Sequence, residues 1–153
     1  MTRRLIGALA IITTLLLSGC GNDYGVDQYG QKVAAERLDK QWLVVNYWAE
    51  WCGPCRTEIP ELNALSEQLK RQNVGVFGVN FDNVQGAELK EASDKLGIKF
   101  TVLAQNPDGI FDIPRSEALP VTYIIDDKGK VREQLMGEQT AEGVLAKLKA
   151  LRG

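Results

Sequence analysis

The sequence predicts an α/β fold, a mixed β-sheet covered by helices on both faces. Three observations predict it. The runs 42–48 and 74–81 are nearly continuously apolar and rich in β-formers, as strands buried inside a parallel sheet are. Segments of helical period separate them. The chain then closes with a strand, a turn, a second strand and a last helix, which adds an antiparallel hairpin to the parallel part.

The elements follow in order. Asp27 to Val33 carries a Tyr-Gly turn signal and is expected to form a small N-terminal hairpin. Residues 42–48, WLVVNYW, form the first central strand. Residues 54–72 place Ile59, Leu62, Leu65 and Leu69 on one helical stripe. Residues 74–81 make the second strand. Residues 88–96 make a helix with Leu89, Ala92 and Leu96 on one face and Gly97 at its end. A short strand is expected at 100–103 and a turn at 106–109, Asn-Pro-Asp-Gly. Residues 121–125 and 131–135 pair across the turn 126–129. A helix over 140–151 turns Val144, Leu145, Leu148 and Leu151 inward.

The first nineteen residues read as a signal rather than as part of the fold. A basic start, with Arg3 and Arg4, precedes thirteen largely apolar residues, too few for a comfortable membrane-spanning helix, which takes about twenty. The segment ends Leu17-Ser-Gly-Cys20, which resembles a bacterial lipobox. That resemblance implies removal of 1–19 and lipidation of Cys20. Residues 20–26 would then be a lipidated tether and 27–153 the folded domain. The lipid would hold the domain outside the cytoplasm on a bacterial membrane. Gly21 is not the Asp that typically retains lipoproteins at the inner membrane of enteric bacteria, so delivery to an outer membrane is allowed.

Composition removes whole classes of function. The chain has 153 residues, a net charge of −2, three Cys and no His. Without Arg3 and Arg4 it keeps 16 of its 18 basic residues against 20 acidic ones, a balance of −4. No basic excess is present for nucleic-acid binding. The lack of His excludes Ser-His-Asp and Cys-His catalysis and imidazole metal sites. Once Cys20 is lipidated, Cys52 and Cys55 remain, too few for a tetrahedral zinc site. In a reading as a thiol–disulfide enzyme only cysteine sulfur carries the electrons, and no metal or organic cofactor is implied. A monomer is expected, since no apolar stripe is left unused.

The chemistry gathers at Trp51-Cys52-Gly53-Pro54-Cys55, the junction of the first strand and the first long helix. A thiolate at Cys52 would face the unpaired amides and positive end of that helix, which lowers its pKa. Pro54 suits the first helical turn. Cys52 is expected to be exposed and to attack, and Cys55, about one turn on, to be more buried and to resolve. Two thiolates could instead hold Cu(I) in a redox-inert binding module. A purely structural disulfide is a weaker reading, because so short a loop hardly restricts the unfolded chain. A peroxidase reading is disfavoured by Ala49, which stands where peroxiredoxins carry Thr or Ser.

Tyr47-Trp-Ala-Glu-Trp-Cys-Gly-Pro-Cys55 resembles the active-site segment of thioredoxin, and Pro60 falls where thioredoxins carry a helix-kinking Pro. Leu119-Pro120-Val-Thr-Tyr123 resembles the cis-Pro loop, which implies a cis peptide at Pro120 and a Leu119 backbone that pairs with substrate. Trp51, Gly53 and Pro54 would share that docking surface. The lipobox, Asn46 in place of a buried Asp, and Cys55-Arg-Thr-Glu58 at the helix start resemble more closely the membrane-anchored TlpA/ResA-like thiol–disulfide reductases. So does an extra helix and strand, about 83–110, before the cis-Pro loop. The resemblance covers about 27–151 and implies a protein-disulfide reductase served by a membrane reductant of DsbD or CcdA type, with a possible role in cytochrome c maturation. Glu58 then matches the family's active-site Glu; alone, it reads equally as a first-turn acid facing the helix dipole. Asn46 is a structural neighbour that cannot take a proton, and Gly78 stands where thioredoxin has a Lys. An oxidase or isomerase using the same Cys pair is the alternative.

Overall fold

The computed structural model describes residues 21–153; the expected signal segment 1–19 and Cys20 lie outside the described residues. Five strands form one sheet: β1 (Trp42–Trp48), β2 (Val74–Asn80), β3 (Thr101–Leu103), β4 (Val121–Ile125) and β5 (Val131–Met136). Their order across the sheet is β3-β2-β1-β4-β5. β1, β2 and β3 run parallel, while β4 lies antiparallel to β1 and β5 antiparallel to β4. The helices are α1 (Gly53–Leu69), α2 (Gly86–Lys95), α3 (Asp108–Phe111) and α4 (Ala141–Arg152).

Side chains alternate across the sheet, so each face has its own core. On one face Val44, Trp48, Val76, Val102 and Ile124 meet Ile59, Leu62 and Leu65 of α1, Leu89 of α2, and Val144 and Leu148 of α4. The other face carries Leu43, Val45, Tyr47, Phe77, Val79, Val121 and Tyr123. It is closed by Phe111 of α3, by Ile113, and by Tyr24, Val33 and Leu38 from the N-terminal segment. The long helices thus share one face, and the second is roofed mostly by irregular chain. Both crossovers, β1-α1-β2 and β2-α2-β3, step the same way along the sheet, so right-handed connections place α1 and α2 on the same side.

One row of residues crosses the first face directly beneath α1. Leu135, Thr122, Asn46, Gly78 and Val102 stand side by side on β5, β4, β1, β2 and β3. Gly78 stands where neighbours approach closely. A Cβ there would stand 3.0 Å from both Phe100 and the Trp48 indole nitrogen, and 3.2 Å from Val102.

Several expectations need correction. The N-terminal hairpin shrinks to a single bridge, Val26 to Lys32, around a turn held by the Asp27 carboxylate, which accepts from Tyr29 N and Gln31 N. Asp27 bridges β3 instead, at Leu103. The tether is shorter than expected, because Tyr24 is already buried and its hydroxyl donates to Asp39 at 2.7 Å. The turn at 106–109 opens into α3, initiated where Asn106 Oδ1 accepts from Asp108 N and stopped by Asp112 in the left-handed region. A 3-10 turn at Ala35–Arg37 carried no sequence signal.

Candidate active site

β1 and β4 bring two loops to one edge of the sheet. Tyr47, next to the C-terminal end of β1, pairs with Val121, the first residue of β4. The chain leaving β1 therefore reaches Cys52 beside the chain that arrives at β4 through Leu119 and Pro120. The Leu119–Pro120 peptide is cis. Pro120 is buried and its carbonyl accepts from Gly137 N at 2.9 Å. Half-buried Leu119 packs against the cluster that contains Cys52 and Cys55.

Cys52 is the N-cap of α1: its backbone is extended and its sulfur accepts from Cys55 N at 3.2 Å. Pro54 sits in the first turn, where a missing N–H costs nothing. Cys52 and Cys55 are joined in a disulfide with their Cα atoms 5.3 Å apart. Cys55 is fully buried, as expected, but Cys52 is only 4% exposed, so the expectation of an open nucleophile is corrected for the oxidised state. Both cysteines belong to the core cluster of the first face. Exposure belongs to the flanks of the bridge, Gly53, Pro54 and Trp51. Trp51 is 66% exposed, and its indole nitrogen donates to Asp82 at 2.8 Å. Trp48, by contrast, is a core residue; its indole N–H has no partner among the described residues.

Below the bridge lies a carboxyl group removed from water. Glu58 is 1% exposed, one turn along α1 from Cys55. Its Oε1 accepts from Asn46 Nδ2 at 2.7 Å and its Oε2 from Gln139 N at 3.1 Å. Burial pushes its pKa up to about 7, with the neighbouring charge of Glu138 adding to the rise and the two hydrogen bonds opposing it. Asn46 gives its second amide hydrogen to Thr122 Oγ1 at 3.0 Å. Glu61, a further turn along α1, accepts from Ala141 N at 3.0 Å at the start of α4.

The structure thus gathers Cys52, Cys55, Glu58, Asn46, Leu119, Pro120, Trp51, Gly53 and Pro54 at one sheet edge. Sequence reasoning missed Gln139 and Thr122. Gln139 acts through its main-chain N–H, which carries no residue-type signal. Thr122 could have been found from its register, directly opposite Asn46 in a strand pair. Among the described residues, no group of three or more His, Cys, Asp or Glu side chains could hold a metal ion. Nor is any helix among them long and apolar enough to cross a membrane.

Comparison with known proteins agrees with this geometry. Residues 16–134 match the AhpC/TSA family. The thiol-disulfide oxidoreductase ResA of Bacillus thuringiensis is 32% identical over 125 residues, covering 82% of this chain and 72% of that one. The thioredoxin-like protein YneN of Bacillus subtilis is 28% identical over 121 residues, covering 78% and 70%. Among solved structures, a thiol:disulfide interchange protein of the thioredoxin family from Chlorobium tepidum superposes with a TM-score of 0.69 at 25% identity, covering 84% of this chain and 92% of the other.

Proposed function

We propose that this chain, which belongs to the AhpC/TSA family and is a thioredoxin-like thiol–disulfide oxidoreductase, works outside the cytoplasm and reduces protein disulfides. The observation that carries the reading is the Cys52–Cys55 bridge at the N-terminus of α1, set against the cis-Pro edge. The signal-like start and the lipobox-like Leu17-Ser-Gly-Cys20 support an anchored, extracytoplasmic protein.

In the reduced protein, Cys52 thiolate attacks one sulfur of a substrate disulfide. A mixed disulfide forms and the other substrate sulfur leaves as thiolate, which takes a proton from solvent. Cys55 thiolate then attacks Cys52 Sγ; the bridge closes and the second substrate thiolate departs. Two electrons have passed to the substrate. Trp51, Gly53 and Pro54 offer the exposed docking surface, and the Leu119 backbone pairs with extended substrate.

Cys55 loses its proton inside the protein, where water does not reach. Glu58 is the acceptor: one turn away, buried, and poised near neutral pH. Restoring the dithiol in an oxidising compartment falls to a membrane reductant of DsbD or CcdA type. The electrons rest only on cysteine sulfur, with no metal or organic cofactor.

The direction is argued from Gly53-Pro54, the dipeptide shared with thioredoxin, whose potential is about −270 mV against about −120 mV for DsbA. The test is the equilibrium potential of the Cys52–Cys55 couple in defined thiol–disulfide buffers. A value near thioredoxin's supports a reductase. A value well above the glutaredoxin range overturns the direction and makes the protein an oxidase or isomerase.

A further inference from the structure

Charge in this chain is sorted between the two ends of the sheet. β1, β2, β3 and β5 run toward the edge that carries the disulfide, and β4 runs back. At that redox end, segments 49–54, 81–88, 104–108 and 137–142 leave the four strands, and 114–120 arrives at β4. Together they hold seven Asp or Glu and one Lys or Arg. At the opposite end, segments 32–41, 70–73 and 97–100 arrive at β1, β2 and β3, and 126–130 joins β4 to β5. The last residues, 149–153, finish α4 there, where Arg152 donates to the Gln72 carbonyl. These five segments hold ten Lys or Arg and four Asp or Glu. All ten basic side chains are exposed. Of the acids, Asp126 is buried and accepts from Lys128 N and Lys130 N. The basic end therefore stands out in a chain whose balance without residues 1–19 is −4.

The chain enters the fold at that same basic end. Asn22 N and Nδ2 donate to the Asp39 carboxylate at 3.4 and 3.0 Å, and Asp39 lies three residues before β1. Gly21 and Asn22 share a depression with Lys40, Gln41 and Asn73. Cys20 is two residues from Asn22, so a group attached to it starts within about 8 Å of this end.

We propose that the basic end is a docking surface for anionic phospholipid headgroups, which holds the anchored domain upright with its redox edge turned away from its own membrane. The inference rests on the reading of Cys20 as lipidated. Acyl chains on so short a tether bring the basic end to the lipid, but a tether alone leaves the domain free to tilt. Charge selects the orientation. Lys and Arg attract the headgroup phosphates, and a tilt that lowers the acidic redox end meets repulsion. Screening confines both forces to about 8 Å in physiological salt, so they act on whichever end touches the lipid. β1 alone spans about 20 Å between the two ends. Substrates then approach from the aqueous side, and a membrane reductant must carry its thiols on a domain that rises to that height.

Residue-resolved lysine labelling of the lipidated chain tests this. The protein is inserted through its own acyl chains into preformed vesicles of phosphatidylcholine, with and without phosphatidylglycerol. Acetylation of each Lys by a water-soluble ester is then read by mass spectrometry. Lys40, Lys99 and Lys130 of the basic end should label several-fold more slowly on the anionic vesicles, and high salt should restore their rates. Lys90, midway along α2, should keep its rate on both. Equal rates for all four on both vesicles overturn the inference and leave the anchor in place. An intact mass without acyl chains overturns the anchored reading and the inference with it.

Charge reversal gives a second reading. Lys40→Glu, Lys128→Glu and Lys130→Glu together leave seven residues of each sign at this end. The three side chains are exposed, so exchange with a small-molecule disulfide stays at the wild-type rate. The protection of Lys99 on anionic vesicles should be lost. Protection that persists in the triple variant also overturns the inference.

Discussion

Replacing Glu58 by Gln should make the folded protein more stable above neutral pH and leave it unchanged in mild acid. Burial raises the Glu58 pKa from 4.5 to about 7. Between these values the folded protein keeps a proton that the unfolded chain has released. The folded state therefore binds more protons, and stability falls as pH rises through the window. The contribution is intact below the unfolded value and lost once pH passes the folded one. A gap of about 2.5 units at about 1.4 kcal/mol each puts the loss at about 3 kcal/mol. The amide that replaces the carboxyl does not titrate and has no such window. Its carbonyl can accept one of the two N–H groups that serve Glu58, from Asn46 or from Gln139.

Asp39 and Asp126 are held below the usual carboxylate range, so their contribution is lost as pH falls through their folded values. That window lies on the acid side of the Glu58 window, and both proteins share it, so it cancels in the difference. The assay is urea unfolding of oxidised wild type and Glu58→Gln at about pH 5 and about pH 8.5. The variant should gain about 2–3 kcal/mol at the higher pH and little at the lower. Stability curves that run parallel across the window would refute the reasoning.

Other outcomes follow from the same geometry. Cys52→Ser should abolish disulfide exchange, while Cys55→Ser should accumulate mixed disulfides that non-reducing gels resolve. Gly78→Ala should cost about 1–3 kcal/mol in denaturant unfolding, because the added methyl crowds buried Phe100, Trp48 and Val102. Cys20→Ala should move the protein from the membrane to the soluble fraction on cell fractionation; continued pelleting would point to an uncleaved apolar segment.

The strands were legible because each follows a strong local rule. β1 and β4 begin and end where their apolar runs do. The apolar period of Val144, Leu145, Leu148 and Leu151 announced α4, which the Thr140 hydroxyl caps by accepting from Gly143 N. The Cys pair and Pro120 were legible from motif and resemblance. What stayed hidden depends on contacts between distant residues. Glu58 looked equally like a first-turn acid, and only the packing of α1 over Asn46 and the β5–α4 loop removes it from water. The burial of Cys52 belongs to a cluster assembled from distant strands and helices, against which Leu119 also packs. The 106–109 segment reads as a turn because Pro and Gly dominate its composition. Phe111, just beyond it, needs to reach the second core, and that demand winds one helical turn.

Gln28 has a consequence beyond the site. Its side chain behaves like a piece of strand: Oε1 accepts from Val102 N at 2.8 Å and Nε2 donates to the Phe100 carbonyl at 3.1 Å. Its own N–H donates to the Val102 carbonyl at 3.0 Å, and Val26 O accepts from Ala104 N at 2.9 Å. These bonds occupy the outer edge of β3, where a foreign strand would otherwise dock. The opposite edge, β5, alternates Arg132, Glu133 and Gln134, side chains that discourage strand addition. Neither border of the sheet therefore invites a neighbour's backbone. Both borders are thereby guarded against the edge-to-edge strand pairing that seeds fibres.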